Sequence, residues 1–323
     1  YMGHSYFTTD PIGKFQETNT DLNMWYQENP EEEISNEKLA LTSGISMGTS
    51  ITLLNQWSFG LNVSKKLPGY DDFDTRGGYI IEDPGTLSLS SWIAPKPGKK
   101  VNQQLSLFGG KDDYASKWHG LSYNLELSPR EHYSISISPD YAWNYDESQW
   151  VDNLYSYPEY IYLGSVYGKL TSQTISLGIR MNYSFTPDMS LQLFTQPFIA
   201  IGKYDSYRLF MENKTYQFAE NFLYYNDTLN TENTWYLIDD PSNSYYGIPY
   251  NEHNYDFNKK SLNWQSVFRW EYRPGSVLFF VWSFSSYEDQ ELLDFNISKS
   301  YQKLFEQVAT HQFLIKYNYW MKL

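Results

Sequence analysis

Apolar and polar residues alternate one by one along many segments of the chain. In Thr174–Phe185, an apolar side chain stands at every second position, from Ile175 to Phe185, and small, polar or charged residues fill the positions between. Successive side chains of a β-strand point to opposite faces of a sheet, so this pattern predicts a strand with one apolar and one polar face. The same alternation recurs at Trp57–Val63, Leu121–Leu127, Tyr133–Tyr145 and Leu262–Arg273.

Charged residues occupy the polar positions of two of these predicted strands. Arg180 stands in the first, and Arg269, Glu271 and Arg273 stand in Leu262–Arg273. Burying such groups in a dry core would be costly, so we expect them to face water or a polar lumen. They could line a selective pore or form ionic braces in a closed barrel, and such a lumen would hold either water or an inserted loop.

The connections between predicted strands fall into two classes. Short ones contain turn-forming residues, at Ser128–Arg130, Thr186–Asp188 and Arg273–Ser276. Long polar ones are expected near 204–260 and 287–310. Short turns on one side and long loops on the other are typical of outer-membrane barrels, whose long loops are extracellular.

These patterns predict one all-β domain over residues 1–323, a transmembrane antiparallel up-and-down β-barrel. Segments of about 9 to 11 residues, the spanning length of a tilted strand, give about 14 strands within a range of about 12 to 16. Strict up-and-down alternation requires one further strand within Tyr141–Ser172 that the pattern does not locate.

The last predicted strand alternates up to the end of the chain, which is typical of substrates of the barrel-assembly machinery. We interpret its apolar side as an assembly signal facing lipid or lipopolysaccharide. The residues concerned are Phe313, Ile315, Tyr317, Tyr319 and Met321.

Composition agrees with a membrane barrel and excludes several other classes. Aromatic residues make up 19% of the chain, and Tyr and Trp suit both rims of a membrane band. No run approaches the roughly 20 apolar residues of a spanning helix. The net charge of −14 disfavours nucleic acid, and the absence of Cys removes disulfides and thiolate sites. Because Tyr1 follows no initiator Met or export signal, we expect further chain before it.

Several strings resemble a Bacteroidota outer-membrane barrel family of unknown function, usually found C-terminal to a β-sandwich similar to a carbohydrate-binding module. The resemblance covers roughly Tyr70 to the C-terminus and implies an outer-membrane location, not an activity. No sandwich module lies within these 323 residues, so a glycan-related role inferred from it has no residues here. The matching strings are Thr75–Gly78, Phe185–Ala200, Arg269–Ser276, Val281–Trp282 and Phe313–Tyr317.

An aromatic-rich segment lies within the first long loop, beside Asn and Asp residues. Exposed rings next to amides and carboxylates suit sugar rings or a protein partner, although the same rings could pack together to fold the loop. The binding candidates are Tyr207, Tyr224, Tyr225, Trp235, Tyr236, Tyr245 and Tyr246.

Other motifs offer weaker chemistry. Ser46 stands in a G-x-S-x-G string, but no helical periodicity follows it, as a nucleophile elbow would require. Asp71, Asp72 and Asp74 resemble part of a calcium loop, but Arg76 occupies an acidic position of that pattern, and a solvated loop is the better interpretation. The sequence therefore predicts no catalytic residue, metal or cofactor.

We expect a non-enzymatic outer-membrane barrel that serves as an anchor, an interaction platform or a subunit of an envelope assembly. Its partners would be proteins or glycans at the extracellular loops. The alternative is a porin or transporter for small polar solutes or oligosaccharides, and a membrane hydrolase using Ser46 is the third hypothesis.

Overall fold

The protein folds almost entirely into β-strands. A computed structural model describes residues 1–34, 37–155, 162–210, 222–224, 234–236, 247–249, 255–290, 302–304, 306 and 308–321. Residues 302–304 are helical. Within this described part, no helix has the length and apolar character needed to cross a membrane.

The described residues contain eighteen strands. They are β1 (Met2–Thr8), β2 (Phe15–Ile34), β3 (Glu37–Leu53), β4 (Ser58–Leu67), β5 (Gly69–Asp71), β6 (Ile81–Asp83), β7 (Thr86–Ala94), β8 (Val101–Asp112), β9 (Lys117–Arg130), β10 (Tyr133–Tyr155), β11 (Tyr162–Thr186), β12 (Met189–Phe210), β13 (Phe222–Tyr224), β14 (Thr234–Tyr236), β15 (Gly247–Pro249), β16 (Phe257–Arg273), β17 (Ser276–Gln290) and β18 (Thr310–Asn318).

One large antiparallel sheet contains nearly all of these strands. Its path runs β1-β2-β3-β4-β7-β8-β9-β10-β11-β12-β16-β17-β18, thirteen strands in chain order, and the short β13 pairs with β12 beside this path. This confirms the all-β class and the antiparallel up-and-down order. The pairings among the described residues do not close the sheet into a barrel, because β1 and β18 stand at its two ends.

The connections emerge alternately at two ends of the sheet. At what we call the turn end, the path continues through residues 9–14, 54–57, 95–100, 131–132, 187–188 and 274–275. At the other end, the loop end, residues 68–85 and 113–116 connect β4 to β7 and β8 to β9. The strand ends that flank 35–36, 156–161, 211–256 and 291–309 lie at the same end. The predicted turns at Pro187 and Pro274 are confirmed, whereas the turn predicted at Ser128–Arg130 follows that segment, since β9 continues to Arg130.

Several strands are much longer than a membrane span, which corrects three sequence predictions. β10 and β11 have 23 and 25 residues, so no additional strand is needed within Tyr141–Ser172. β12 continues to Phe210 and β16 begins at Phe257, so both ends of the loop predicted at 204–260 are strand, and β17 extends to Gln290 within the loop predicted at 287–310. The parts of these loops at 211–221, 225–233, 237–246, 250–254 and 291–301 lie outside the described residues. The polar residues at these strand ends do not alternate with apolar ones, so the sequence pattern predicts a loop there. Backbone pairing nevertheless continues beyond the apolar segment, because it does not depend on the side chains.

The pairing register collects the apolar positions on one face of the sheet. Ile137 of β10 pairs with Ile179 of β11, and Leu191 of β12 pairs with Phe268 of β16, which in turn pairs with Phe280 of β17. We call this side the apolar face. The opposite, polar face carries small and polar residues such as the paired Ser136 and Arg180.

Five glycines of the polar face each pair directly with an aromatic residue on the next strand. A Cβ on any of these glycines would overlap the partner ring, so the ring lies flat over the glycine. Such pairs fill the space above the backbone and hold the register of adjacent strands. The pairs are Trp25 with Gly44, Trp92 with Gly60, Phe108 with Gly120, Trp118 with Gly110, and Phe257 with Gly202.

The C-terminal strand is shorter than predicted. Phe313, Ile315 and Tyr317 lie in β18 as expected, but the strand ends at Asn318, before Tyr319 and Met321. The chain leaves the sheet here because the Trp320 backbone N–H donates to Ser276 Oγ at 3.1 Å, which draws it over the β16–β17 turn.

Replacing one of the paired glycines should destabilise the sheet. We expect Gly60→Ala to lower the free energy of unfolding by about 1 to 3 kcal/mol, since the added methyl displaces the Trp92 ring. The matched control is Gly178→Ala, whose Cβ would meet only Ser138 atoms at 3.8 Å. Denaturant titration in detergent measures the difference, and equal stability of the two variants would contradict the packing role of the pair.

Candidate functional site

The loop between β4 and β7, residues 68–85, folds against the polar face at the loop end. We call it the β4–β7 loop. Tyr167 Oη of β11 donates to the Asp74 carboxylate at 2.8 Å, and Asn153 Nδ2 of β10 donates to the Thr75 carbonyl at 2.9 Å. The Arg76 guanidinium lies 3.7 Å from the centre of the Trp150 ring. Three consecutive residues of the loop are thus bound to two neighbouring strands.

The same loop also contacts β2. Because the loop contacts β11 as well, the two contacts together show that the sheet is curved. Asn29 Nδ2 donates to the Asp72 carboxylate at 3.0 Å, only two residues from the Asp74 contact with Tyr167. In a flat sheet, β2 and β11 are seven positions apart, about 33 Å. The path from the Asn29 Cα through the Asp72 and Asp74 side chains to the Tyr167 Cα can extend over about 30 Å at most. The sheet therefore curves with its polar face inside.

Part of the loop is buried between the strands. Thr75 is fully buried, and its hydroxyl donates to the Tyr79 carbonyl at 2.8 Å. Ile81 forms a small core with Tyr167 and Phe210, against which Tyr79, Tyr114 and Trp150 also pack. These contacts give the loop a fixed position across the interior of the curved sheet.

A cavity of about 220 Å³ remains between the loop and strands β7, β8 and β10. Lys66 pairs with Asp83 at 2.5 Å beside it. The six carboxylates that line it make the loop end of the interior strongly acidic, which favours cations over anions there. They belong to Asp71, Asp74, Glu82, Asp83, Asp112 and Asp146.

Burial changes the acidity of two groups in this region. It raises the pKa of Asp74 above its ordinary value, while the hydrogen bond from Tyr167 opposes the rise and the Asp71 charge adds to it. Burial also raises the pKa of Tyr114, with the neighbouring Glu82 carboxylate adding to the effect. Both directions follow from the low polarity of a partly dry interior.

Asp71, Asp72 and Asp74 of the loop accept hydrogen bonds from other groups of the protein. The Asp71 carboxylate accepts the backbone N–H groups of Phe73 and Asp74, both at 2.7 Å, while Asp72 and Asp74 bind the side chains described above. Across the ranges that the structure describes, no three His or acidic side chains are grouped so that they could hold a metal ion.

The four predicted lumen residues lie nearer the turn end. Arg180 is on the polar face, with its guanidinium 4.8 Å from the Phe194 ring centre. Arg269 and Glu271 form an ion pair at 2.6 Å, and Glu271 also accepts the Gly275 backbone N–H at 2.9 Å. Arg273 donates to Tyr319 Oη at 3.1 Å. Arg269, Glu271 and Arg273 thus brace the β16–β17 turn, and Arg180 stands apart from them.

The chain matches the model of a known protein family over its whole length. The pattern of a family described as a domain of unknown function, DUF5916, matches residues 1–323. The chain belongs to the DUF5916 family. A search of curated proteins found no match to it.

The other sequence candidates of this DUF5916 chain belong to other elements of the fold or lie outside the described residues. Ser46 is in the middle of β3, paired with Asn23 and Ser64, and not at a strand-to-helix turn. Of the aromatic candidates, Tyr207 lies in β12, Tyr224 in β13, and Trp235 and Tyr236 in β14. Tyr225, Tyr245 and Tyr246 lie outside the described residues.

Thr75 and Arg76 attach the loop to β10 in this DUF5916 chain, whereas the sequence pattern predicts a solvated loop there. One signal was present in the sequence, the Gly77-Gly78 pair. Gly77 adopts a φ of +101°, and a Cβ on Gly78 would overlap the Tyr162 hydroxyl. Two adjacent glycines after a polar run indicate a tight turn pressed against another surface.

Removing the Tyr167 hydroxyl should loosen the β4–β7 loop. Tyr167→Phe leaves the half-buried Asp74 carboxylate without this donor, which costs about 1 to 2 kcal/mol. We expect trypsin to cut after Arg76 about tenfold faster in this variant. Tyr287→Phe is the control, since it removes a comparable bond to Asp289, at 3.2 Å, on an exposed tyrosine. Equal cleavage rates in both variants would show that the Tyr167 contact does not hold the loop.

Proposed function

We propose that the protein is a non-enzymatic outer-membrane β-barrel that serves as an anchor or interaction platform of the cell envelope. The observation that carries this proposal is the apolar face, which lies exposed on β3, β4, β7, β8 and β9. Met47, Leu61, Leu89, Leu107 and Leu121 stand on five different strands of this face, and each is between 39% and 54% exposed. An apolar surface of this extent is unfavourable in water and suits contact with lipid.

The order of residues along the apolar face supports the same proposal. On β10, Tyr133 and Tyr141 enclose Ile135 and Ile137, and Trp143 follows. The two tyrosines are eight positions apart, about 27 Å along the strand. Aromatic residues at the borders of an aliphatic band are what a strand crossing a bilayer requires.

The β4–β7 loop favours an anchor over an open channel. It crosses the interior from β2 to β11, and its contacts are hydrogen bonds and buried apolar packing. An inserted loop in this position occludes the loop end of a barrel lumen. The parts of β10, β11 and β12 beyond the aromatic border would then stand outside the membrane and offer a surface to proteins or glycans.

If the sheet closes into a barrel, the directions of the two edge strands decide how they can be joined. β1 and β18 both run from the loop end to the turn end. A direct contact between them would be parallel, whereas one additional strand between them would keep every pairing antiparallel, as is usual in bacterial barrels. The count would then be even, in keeping with the predicted number of about 14.

A transport function is the second candidate, and the small size of the polar-face residues favours it. On β10 these residues include Ser134, Ser136 and Ser138, and on β11 they include Ser176 and Gly178. Short side chains leave unfilled space inside a curved sheet of this width. The acidic cavity would favour cationic solutes at the loop end.

Charge placed on the apolar face should prevent stable insertion. We expect Leu107→Arg to lower stability in bilayers by about 2 to 4 kcal/mol, because an arginine at the middle of the membrane must lose its hydration. Ser106→Arg is the matched control, since Ser106 is the next residue and points to the polar face. Heat-modified gel mobility after reconstitution gives the folded fraction. Equal loss in both variants would contradict a lipid-facing role.

Conductance in planar bilayers separates the anchor from the channel. We expect the native protein to be silent, because the β4–β7 loop occupies the lumen. Residues 72–80 can be replaced by Asn-Gly, since Asp71 and Ile81 are directly paired and a two-residue turn would join them. This variant should conduct. Steady openings of the native protein would instead support the transporter, and silence of both would contradict occlusion by this loop.

A further inference from the structure

A recess at the turn end combines several cationic side chains with hydroxyl and amide groups. It has a volume of about 320 Å³ and lies where the β7–β8 turn meets the ends of β9, β10 and β11. Lys99, Lys100 and Arg130 line one part of it. The volume is at the lower end of the range found for small-molecule sites.

Within the described part of the chain, the cations of the recess take part in no ion pair. Among the residues that the structure describes, Lys99, Lys100 and Arg130 form no ion pair, and neither does Glu131, the single acidic residue that lines the recess. Of the six ion pairs among all described residues, five lie at the loop end. The protein has 38 acidic against 24 basic residues, so this local excess of positive charge runs against its overall balance.

The floor of the recess provides neutral hydrogen-bond donors. Ser134, Asn182 and Ser184 line it, and Asn182 Nδ2 donates to Ser134 Oγ at 3.2 Å. Because Ser134 Oγ accepts this bond, its own proton is free to donate to a ligand. His132 also lines the recess, and its ring is held edge-on against Tyr183, with 5.6 Å between centroids.

We propose that this recess binds a soluble oxyanion with two or more negative charges, carried by phosphate or carboxylate groups. Cations joined to hydroxyl donors suit an acceptor with several oxygens, because charge-assisted hydrogen bonds are the stronger kind. Ser134 and Asn182 belong to the polar face, which turns away from the surface that would meet lipid, so a dissolved anion fits better than a lipid headgroup. The choice of a dissolved anion rests on the lipid contact proposed above, whereas anion binding by the recess itself does not.

Isothermal titration of the purified protein in detergent tests the recess, with inorganic pyrophosphate and citrate as separate probes. We expect saturable binding of at least one of them and a dissociation constant about tenfold higher in the double variant K99Q/R130Q. The matched control is K111Q/K117Q, which removes the same charge near the β8–β9 turn at the loop end. It should change the constant by less than about twofold.

Three results would overturn the proposal. One is the absence of saturable binding of both probes, and another is equal weakening in the two double variants, which would indicate a general effect of net charge. The third is binding only to micelles doped with phosphatidylglycerol, which would assign the cations to a lipid headgroup. Circular dichroism of each variant confirms that the sheet is intact before titration.

Discussion

Backbone pairing in register is the constraint on which the rest of this structure depends. Each strand contributes an apolar and a polar side, and a shift of one residue in any pairing would exchange the two. Across thirteen strands the register keeps these sides separate, and the flat contacts of Trp92 with Gly60 and of Trp118 with Gly110 help to hold it. Both the proposed lipid contact and the polar interior follow from this one property.

Curvature gives the two faces different environments. The contacts of Asp72 with β2 and of Asp74 with β11 require the polar face to be inside, and the apolar face then points outwards. The interior has two different ends, since six carboxylates line the cavity under the β4–β7 loop and three cationic side chains line the recess at the turns. A field along the interior would arise from this separation, and it would act on any charged ligand that approaches from either side.

The β4–β7 loop connects the fold to the proposed function. A loop held only by exposed polar contacts would leave the interior open much of the time, but Thr75 and Ile81 are buried. Opening the loop would expose apolar surface and leave the Asp74 carboxylate without the Tyr167 hydroxyl. Its stability therefore decides between the anchor and the transporter, and the membrane location proposed for the sheet is independent of that choice.

The sequence by itself determined the strand class, the two faces and the turns at Pro187 and Pro274, because alternation and turn chemistry are local properties. The alternation of side chains was enough to place Arg180 on the polar face. It did not determine the lengths of β10 and β11, since pairing continues where alternation has faded. Only the tertiary structure decided the position of Asp74, whose partner Tyr167 is 93 residues away. It alone also brought Lys99 beside Arg130 and Asn182, because contacts between distant segments depend on the curvature and registers of all the intervening strands.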